Sequence, residues 1–178
     1  GGLPGKYEAP SAITMDESGS CIFVADRRRV QRLRGTMVPG MGSLFPDCSS
    51  NTVESIESLS NPAGLAYHAG MLFVSDAHDR IVAFEATRLE PRFTIGQRGK
   101  EAGCFRAPRG LCVHANELYV CDSGNDRLQV FSCGTEAEST GLVRVIGGHN
   151  LLRSPRAVAV TEGLLFIAED GDGGGHTS

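Results

Sequence analysis

Residues 103–131 read GCFRAPRGLCVHANELYVCDSGNDRLQVF, and their pattern gives the clearest prediction of secondary structure in the chain. It contains three short runs rich in aliphatic, β-branched or aromatic residues, at 110–113, 118–120 and 128–131, and a further apolar run follows at 142–146. Asn, Asp, Ser and Gly separate the first three runs, and these residues favour tight turns because they bond to nearby backbone or accept positive φ. With no helical period between them, the four runs predict neighbouring antiparallel strands.

The same phrase recurs along the chain with a nearly constant period. Its copies begin at prolines spaced 52, 46 and 47 residues apart, namely Pro10, Pro62, Pro108 and Pro155. In every copy the second predicted strand ends on an acid, and these acids are Asp26, Asp76, Asp122 and Glu169. Units of this length bury their faces by stacking on their neighbours. Four short strands per unit therefore predict an all-β fold, a β-propeller of four-stranded antiparallel blades.

We divide the single partial propeller, residues 1–178, into blades at approximately 9–58, 59–106, 107–153 and 154–178. Residues 37–60 are rich in Gly, Ser, Pro and Asn, so the first blade is expected to have only a poor outer strand around Val53 to Ile56. Residues 171–178 stand where the third strand of the last blade belongs. We therefore expect about three and a half blades and an incomplete disc. We favour a fragment or a truncated gene model, in which neighbouring blades of a longer parent chain would complete the disc. The alternatives are a disc completed by a second copy and a smaller disc.

The third copy resembles an NHL repeat. That family's phrase runs from Gly-x-Phe-x-x-Pro to Asp-Ser-Gly-Asn-x-Arg-x-Gln-Val-Phe, and residues 103–108 and 122–131 follow it. The second copy is similar over residues 76–84, whereas the first departs after Asp26, where three arginines replace the Gly-Asn turn. The resemblance extends over nearly the whole chain. It implies a disc of about six blades that presents a rigid binding surface to a partner.

Composition limits the classes of function. The 178 residues carry a net charge of -4 and no apolar run long enough to cross a bilayer, which disfavours wholesale attraction to nucleic acid or to a membrane. The six cysteines include no Cys-x-x-Cys pair, so neither a zinc knuckle nor a redox motif is predicted. Thiols that pack as small hydrophobes beside strands favour a reducing, cytoplasmic location, although the sequence carries no targeting signal that would decide it.

The acids at the strand ends predict a structural role. Each one precedes a turn, where a carboxylate can accept hydrogen bonds from backbone amides. Arg80 and Arg127 follow their acids by four and five residues, close enough to pair with them. Carboxylates that converge on the axis of a disc are also a conceivable calcium site. We favour the turn role and predict no metal site and no cofactor.

The resemblance also implies an enzymatic alternative, a metal-dependent lyase or lactonase-like propeller. Related discs, which include the peptide amidating lyase and lactonases, hold a metal in the central channel with His or acidic residues from several blades. Here His68 and His114 occupy matching positions in two copies only, in a hairpin where polar residues are expected anyway. Ser75 and Ser123 have no nucleophile elbow and no paired His. We therefore predict no catalytic residue and keep catalysis as the second alternative.

Basic residues give the candidate binding site. Arg109 and Arg156 directly follow a repeat proline, so we expect them at equivalent points on one face of the disc. The other candidates are Arg106, Arg153, Arg28 and Arg29. A protein or peptide is the predicted partner. RNA on the basic face is the first alternative, since some discs that resemble this one bind RNA in this way, but the absence of Trp and an aromatic content of 6% disfavour stacking on bases.

Overall fold

A computed structural model of the chain describes residues 6–38, 42–44, 54–56, 59–148 and 151–170. They form antiparallel sheets in chain order, as the strand pattern predicted, and the all-β, partial-propeller fold is confirmed. The first sheet, blade 1, contains β1 (Pro10–Met15), β2 (Cys21–Asp26), β3 (Arg29–Arg34) and β6 (Glu54–Ile56). A small hairpin of β4 (Thr36–Val38) and β5 (Gly42–Leu44) is inserted between β3 and β6.

The other blades follow the same meander. Blade 2 contains β7 (Gly64–His68), β8 (Met71–Asp76), β9 (Arg80–Glu85) and β10 (Glu90–Ile95). Blade 3 contains β11 (Pro108–His114), β12 (Glu117–Asp122), β13 (Arg127–Ser132) and β14 (Leu142–Gly147). Blade 4 contains β15 (Pro155–Thr161) and β16 (Leu164–Glu169). Short 3-10 helices occur at Ser123–Asn125 and Ala137–Ser139, and within the described ranges no helix is long and apolar enough to span a membrane.

Two sequence predictions about the weak parts of the disc have different outcomes. The poor outer strand expected around Val53 to Ile56 is present as β6, which pairs with β3 through Val30 and Ile56. The truncated third strand of the last blade, residues 171–178, lies outside the described residues. The exact limits of the blades stay a prediction.

Alternation along each strand places a hydrophobic core between neighbouring blades. We call the face of a blade that turns toward the following blade its leading face and the opposite one its trailing face. In β2, Phe23 and Ala25 lie on the leading face and pack with Leu72 and Val74 from the trailing face of blade 2. The Phe23 ring also stacks on Tyr67, with ring centroids 5.8 Å apart.

The second junction repeats this arrangement one blade later. Ala66 and Phe73 of blade 2 pack with Leu111, Leu118 and Val120 of blade 3. Each core therefore belongs to a pair of blades, and no blade buries both of its faces alone.

Two glycines set how closely blades 2, 3 and 4 approach near the axis. A Cβ atom on Gly64 would lie 2.1 Å from the backbone oxygen of Arg109, and one on Gly110 would lie 2.5 Å from that of Arg156. Such distances exclude any side chain unless the backbone moves. Blade 1 carries Ala12 at the equivalent position, so its junction with blade 2 accommodates a methyl group.

One arginine is buried at the first junction. Arg32 is 1% exposed, and its Nη1 atom donates to the backbone oxygens of Ala86 and Thr87 at 2.5 and 2.6 Å. These oxygens belong to the β9–β10 turn, so the guanidinium connects blade 1 to blade 2. Because a buried cation is costly without such acceptors, blade 1 depends on its neighbour for more than apolar contact.

A compact polar network holds the outer part of blade 3. Arg144 Nη1 and Nη2 donate to the two Glu117 carboxylate oxygens at 2.6 and 2.7 Å, and the Tyr119 hydroxyl donates to the same carboxylate at 2.8 Å. The Arg144 guanidinium also lies over the Tyr119 ring, 5.6 Å from its centroid. The hydrogen bond from Arg144, followed by that from Tyr119, lowers the pKa of Glu117 from 4.5 to about 2.

We predict that Gly110→Ala destabilises the fold by about 1–3 kcal/mol, because the added methyl group must displace backbone of blade 4. Urea unfolding followed by circular dichroism measures the change. The control is Gly141→Ala, whose new Cβ would meet nothing closer than Ser132 Oγ at 3.9 Å, and it should change the free energy of unfolding by less than about 0.5 kcal/mol. Equal effects of the two substitutions would contradict the close approach at Gly110.

The Glu117 network predicts a pH-dependent contribution to stability. Since the folded-state pKa lies below the ordinary value of 4.5, the contribution is complete above pH 4.5 and is lost as the pH falls toward 2. Glu117→Gln should therefore destabilise the protein at pH 7 by on the order of 1–2 kcal/mol and by clearly less near pH 2.5, where the larger part of the contribution is already lost. Urea unfolding at both pH values compares the variant with the unaltered chain, and a difference that is independent of pH would contradict the prediction.

Candidate binding site at the proline end of the disc

The blades have two chemically different ends. The antiparallel register places each first-strand start beside the turn between strands two and three, as the pairs Pro10–Asp26 and Pro108–Asp122 show. We call this the proline end. The opposite hairpin end carries the turns between strands one and two, including those at 16–20 and 115–116. All sequence-predicted binding residues belong to the proline end.

The carboxylates that end the second strands organise the proline end, and three of the four are buried. In blades 1, 3 and 4 the acid accepts a hydrogen bond from the backbone N–H of the residue two before the repeat proline. Asp26 accepts from Glu8 at 2.9 Å, Asp122 accepts from Arg106 at 2.7 Å, and Glu169 accepts from Arg153. In blade 2, Asp76 instead accepts from the His78 amide at 2.9 Å. The acids thus satisfy backbone donors, which is the turn role expected from their position in the sequence.

Arginines neutralise three of these acids. Arg127 Nε donates to Asp122 at 2.8 Å, Arg80 Nη2 lies 3.1 Å from Asp76, and Arg29 Nη2 lies 3.3 Å from Asp26. Burial by itself would raise the pKa of Asp26, but hydrogen bonds from the Ala9 and Glu8 amides and from Arg29 lower it below its ordinary value. Arg29, a candidate binding residue by sequence, is 9% exposed and takes the same structural position as Arg80 and Arg127.

A second set of acids connects one blade to the next. Asp79 and Asp126 directly precede the structural arginines, and they accept from the amides of Ala107 and Ser154 at 2.6 and 2.8 Å. Both acids have left-handed φ values, 59° and 53°, and their side chains reach the following blade. Sequence reasoning missed these roles, although an Asp just before the repeat Arg was a visible signal. Blade 1 has Arg28 at this position.

The starts of the first strands surround one cleft. It has a volume of about 420 Å³ and is lined by Ser11, Asn61, Pro62, Ala63, Arg109 and Arg156. Four of these residues, one from each blade, directly follow the repeat proline. The structure therefore brings Arg109 and Arg156 together at the same opening.

The two cleft arginines differ in their surroundings. Arg156 is exposed and forms an ion pair with Asp170. Arg109 is half-buried, and across the described ranges its side chain forms no hydrogen bond or ion pair. Arg28, Arg106 and Arg153 are exposed at the same end but do not line the cleft.

Opposite signs of charge dominate the two ends. Outside the buried pairs, the described basic residues of the proline end are Lys6, Arg27, Arg28, Arg98, Lys100, Arg106, Arg109, Arg153 and Arg156. They outnumber the acids there, which are Glu8, Asp79, Glu101, Asp126, Glu169 and Asp170. At the hairpin end the described acids are in excess, and they are Asp16, Glu17, Glu85, Glu90, Glu117, Glu136, Glu138 and Glu162. The overall acidity of the chain therefore conceals a basic end.

Residues considered for catalysis make structural contacts. His68 Nε2 lies 2.9 Å from the Asn116 side-chain oxygen, which connects the hairpins of blades 2 and 3. Ser75 and Ser123 donate to the backbone oxygens of Arg109 and Pro155, each in the following blade. Within the described ranges, no three His, Cys, Asp or Glu side chains lie close enough to share a metal ion.

The third copy of the repeat matches a known family. Residues 105–131 match the family model of the NHL repeat. This confirms the resemblance seen in the third copy, and the match covers most of the Asp122 hydrogen-bond network. Among curated protein sequences, none matches the chain.

Solved structures extend the likeness of fold beyond the NHL repeat. The RRP9 WD40 repeats share 17% identity with a TM-score of 0.64, over 90% of this chain but 44% of theirs. This chain therefore spans less than half the length of that propeller. The computationally designed Ika4 protein shares 9% identity with a TM-score of 0.65, over 95% of this chain and 90% of its own. A chain in the crystal structure of a nidogen/laminin complex shares 15% identity with a TM-score of 0.59. The match covers 90% of this chain and 72% of that one.

We predict that Asp122→Ala in the NHL repeat destabilises the fold by about 3–5 kcal/mol, because it removes the carboxylate that balances the Arg127 charge and leaves Arg127 Nε and the Arg106 amide without their acceptor. Urea unfolding measures the change. Asp170→Ala is the matched control, since its ion pair with Arg156 is about half exposed, and it should cost less than about 1 kcal/mol. Comparable losses in the two variants would show that the buried acid has no special role.

Proposed function

We propose that this chain is a non-catalytic, protein-binding propeller module and that its partner places an acidic segment on the proline end. The main support for this proposal is Arg109. This residue lines the cleft, is half-buried and pairs through its side chain with no described residue. A guanidinium presents donors in a planar fork that matches a carboxylate, and partial burial strengthens such a pair.

The remaining cleft residues suit the same ligand. Arg156 adds a second cation, which a partner carboxylate would share with Asp170 or take from it. Ser11 and Asn61 supply smaller polar groups, whereas Pro62 and Ala63 supply apolar surface for the neighbouring part of a peptide. The mixture of charge and small apolar contacts fits an acidic side chain on a peptide better than a free ion.

The excess of basic residues at the proline end supports this choice of partner. It would attract an acidic segment over a longer range than the cleft alone. The nidogen/laminin complex provides a parallel, since a protein of similar fold occurs there in a protein complex. At 15% identity the likeness concerns the fold only, so the parallel says nothing about which partner this chain binds.

RNA is the second candidate, because the same basic end would attract phosphates. Recognition of single-stranded RNA also uses aromatic side chains on which bases stack. The cleft is lined by Ser, Asn, Pro, Ala and Arg residues, without an aromatic ring. We therefore favour a protein partner and treat RNA as an outcome of the test.

The test is a selection of displayed random 12-residue peptides on the immobilised chain, followed by fluorescence polarisation of the enriched peptides. We predict enrichment of peptides rich in Asp and Glu. The double variant Arg109→Glu/Arg156→Glu should weaken their binding by about 10- to 100-fold, since it reverses both charges of the cleft.

The matched control is Arg88→Glu/Arg92→Glu, which makes the same charge change at the hairpin end and should leave the affinity within about twofold. Thermal melts verify that both double variants are folded. A labelled 12-residue oligouridylate is measured in parallel. Tight, salt-dependent binding of this RNA without enrichment of acidic peptides would replace the proposal by the RNA alternative, and equal losses in both double variants would refute the cleft as the site.

A further inference from the structure

The leading face of blade 4 is apolar and uncovered in the described structure. Phe166 is 56% exposed and Leu164 is 58% exposed. The residues at the position of Phe166 in the other blades are Phe23, Phe73 and Tyr119, and all three are buried. The first strand opposite has Ala157 and Ala159 on the same face, and both are exposed.

The trailing face of blade 1 is uncovered as well. Ile13 is 68% exposed and Met15 is 60% exposed. Ile13 occupies the position of Leu65 and Leu111, which are buried in the first and second junction cores. Met15 occupies the position of Tyr67, the residue on which the Phe23 ring stacks. Isolated apolar residues on a surface are ordinary, but here they repeat the positions of a core.

In their first and second strands, these two faces correspond to the two sides of one kind of junction. The chain already forms that junction between blades 1 and 2 and again between blades 2 and 3. A partner that carried only one complementary face would leave the other apolar face in water. A copy of this chain carries both faces and would cover both at once.

We propose that two copies of the chain associate through these faces, with the leading face of blade 4 in each copy packed on the trailing face of blade 1 in the other. A twofold axis relates the two contacts, so the assembly closes and does not grow into a filament. Eight sheets result, which is within the range that propellers adopt. In each contact the Phe166 ring meets Met15 of the partner, and aromatic rings pack favourably against the Met sulfur.

Alanine at the new contact agrees with this arrangement. Gly64 and Gly110 are required where the following blade approaches most closely, but blade 1 makes its junction with Ala12 at the same position. Blade 4 carries Ala157 there. The proposed contact therefore has the wider spacing of the first junction and needs no movement of backbone.

Assembly would also arrange two copies of the cleft around one axis. The cleft is lined by first-strand starts from four blades, and in the chain by itself these blades form only part of a ring. The second copy would place its own cleft across the axis, with another Arg109 and Arg156. The association is independent of the proposed peptide binding, which the single chain can perform with its own cleft.

The mass of the purified chain in solution tests the proposal. Sedimentation velocity is measured at protein concentrations of about 1 to 50 µM, a range on the order of the dissociation constants of ordinary dimers. It should give twice the chain mass of 18.9 kDa. A thermal melt of the same sample should be cooperative. Phe166→Asp and Met15→Asp each place a charge in both contacts of their own dimer, and each should give a monomer. Val143→Asp is the control, since Val143 is exposed at a bulge in the outer strand β14, away from both faces, and it should remain a dimer.

Mixing the two monomeric variants supplies a second measurement. In a mixed pair, one contact joins the unaltered Phe166 face of one copy to the unaltered Met15 face of the other. Dimers should therefore reappear in the mixture at higher concentration, which a variant that had merely lost its fold could not produce. An unaltered chain that is monomeric, that forms larger open aggregates or that shows no cooperative melt would overturn the proposal, as would a mixture that stays monomeric.

Discussion

The carboxylate that ends each second strand, which is buried in blades 1, 2 and 3, is the interaction on which the disc depends. In blade 3 it accepts hydrogen bonds from the Arg106 amide and from Arg127, Asn125 and Gln129. One side chain thus holds the incoming chain, the turn and the third strand in place. Because an unpaired buried charge is costly, these partners are needed together. In blades 1, 3 and 4 the acid binds the segment that leads into the first strand, and it does so at the end of the disc where the cleft lies.

Most of the fold could be predicted from the sequence because its causes are local. Strand alternation, turn residues and the proline period each act within one blade, and the blades repeat. The β4–β5 hairpin was not predicted, since its three-residue strands lie in a segment rich in Gly and Ser that has no apolar alternation. The cores between blades followed from the repeat, but the buried Arg32 did not, because its acceptors are backbone oxygens in another blade.

The position of the candidate site could be predicted from the sequence. The role of each residue near it could be predicted less well. The residue after each repeat proline gave Arg109 and Arg156 at one opening, since repeat equivalence fixes where a side chain emerges. Arg29 is the same residue type, but its place three residues after Asp26 makes it a partner of that acid. The role of Asp79 and Asp126 was not predicted, because each accepts a hydrogen bond from a backbone amide 28 residues later in the chain. Sequence spacing reveals partners within a blade better than partners across a junction.

The unequal distribution of charge between the two ends has a kinetic consequence. A disc with a basic and an acidic end has an electric dipole along its axis, so the field of an approaching acidic protein exerts a torque on it before any atoms touch. The disc would arrive already turned with its cleft toward the partner. Dissolved salt would screen this torque and lower the rate of association. It would change the lifetime of the final complex much less.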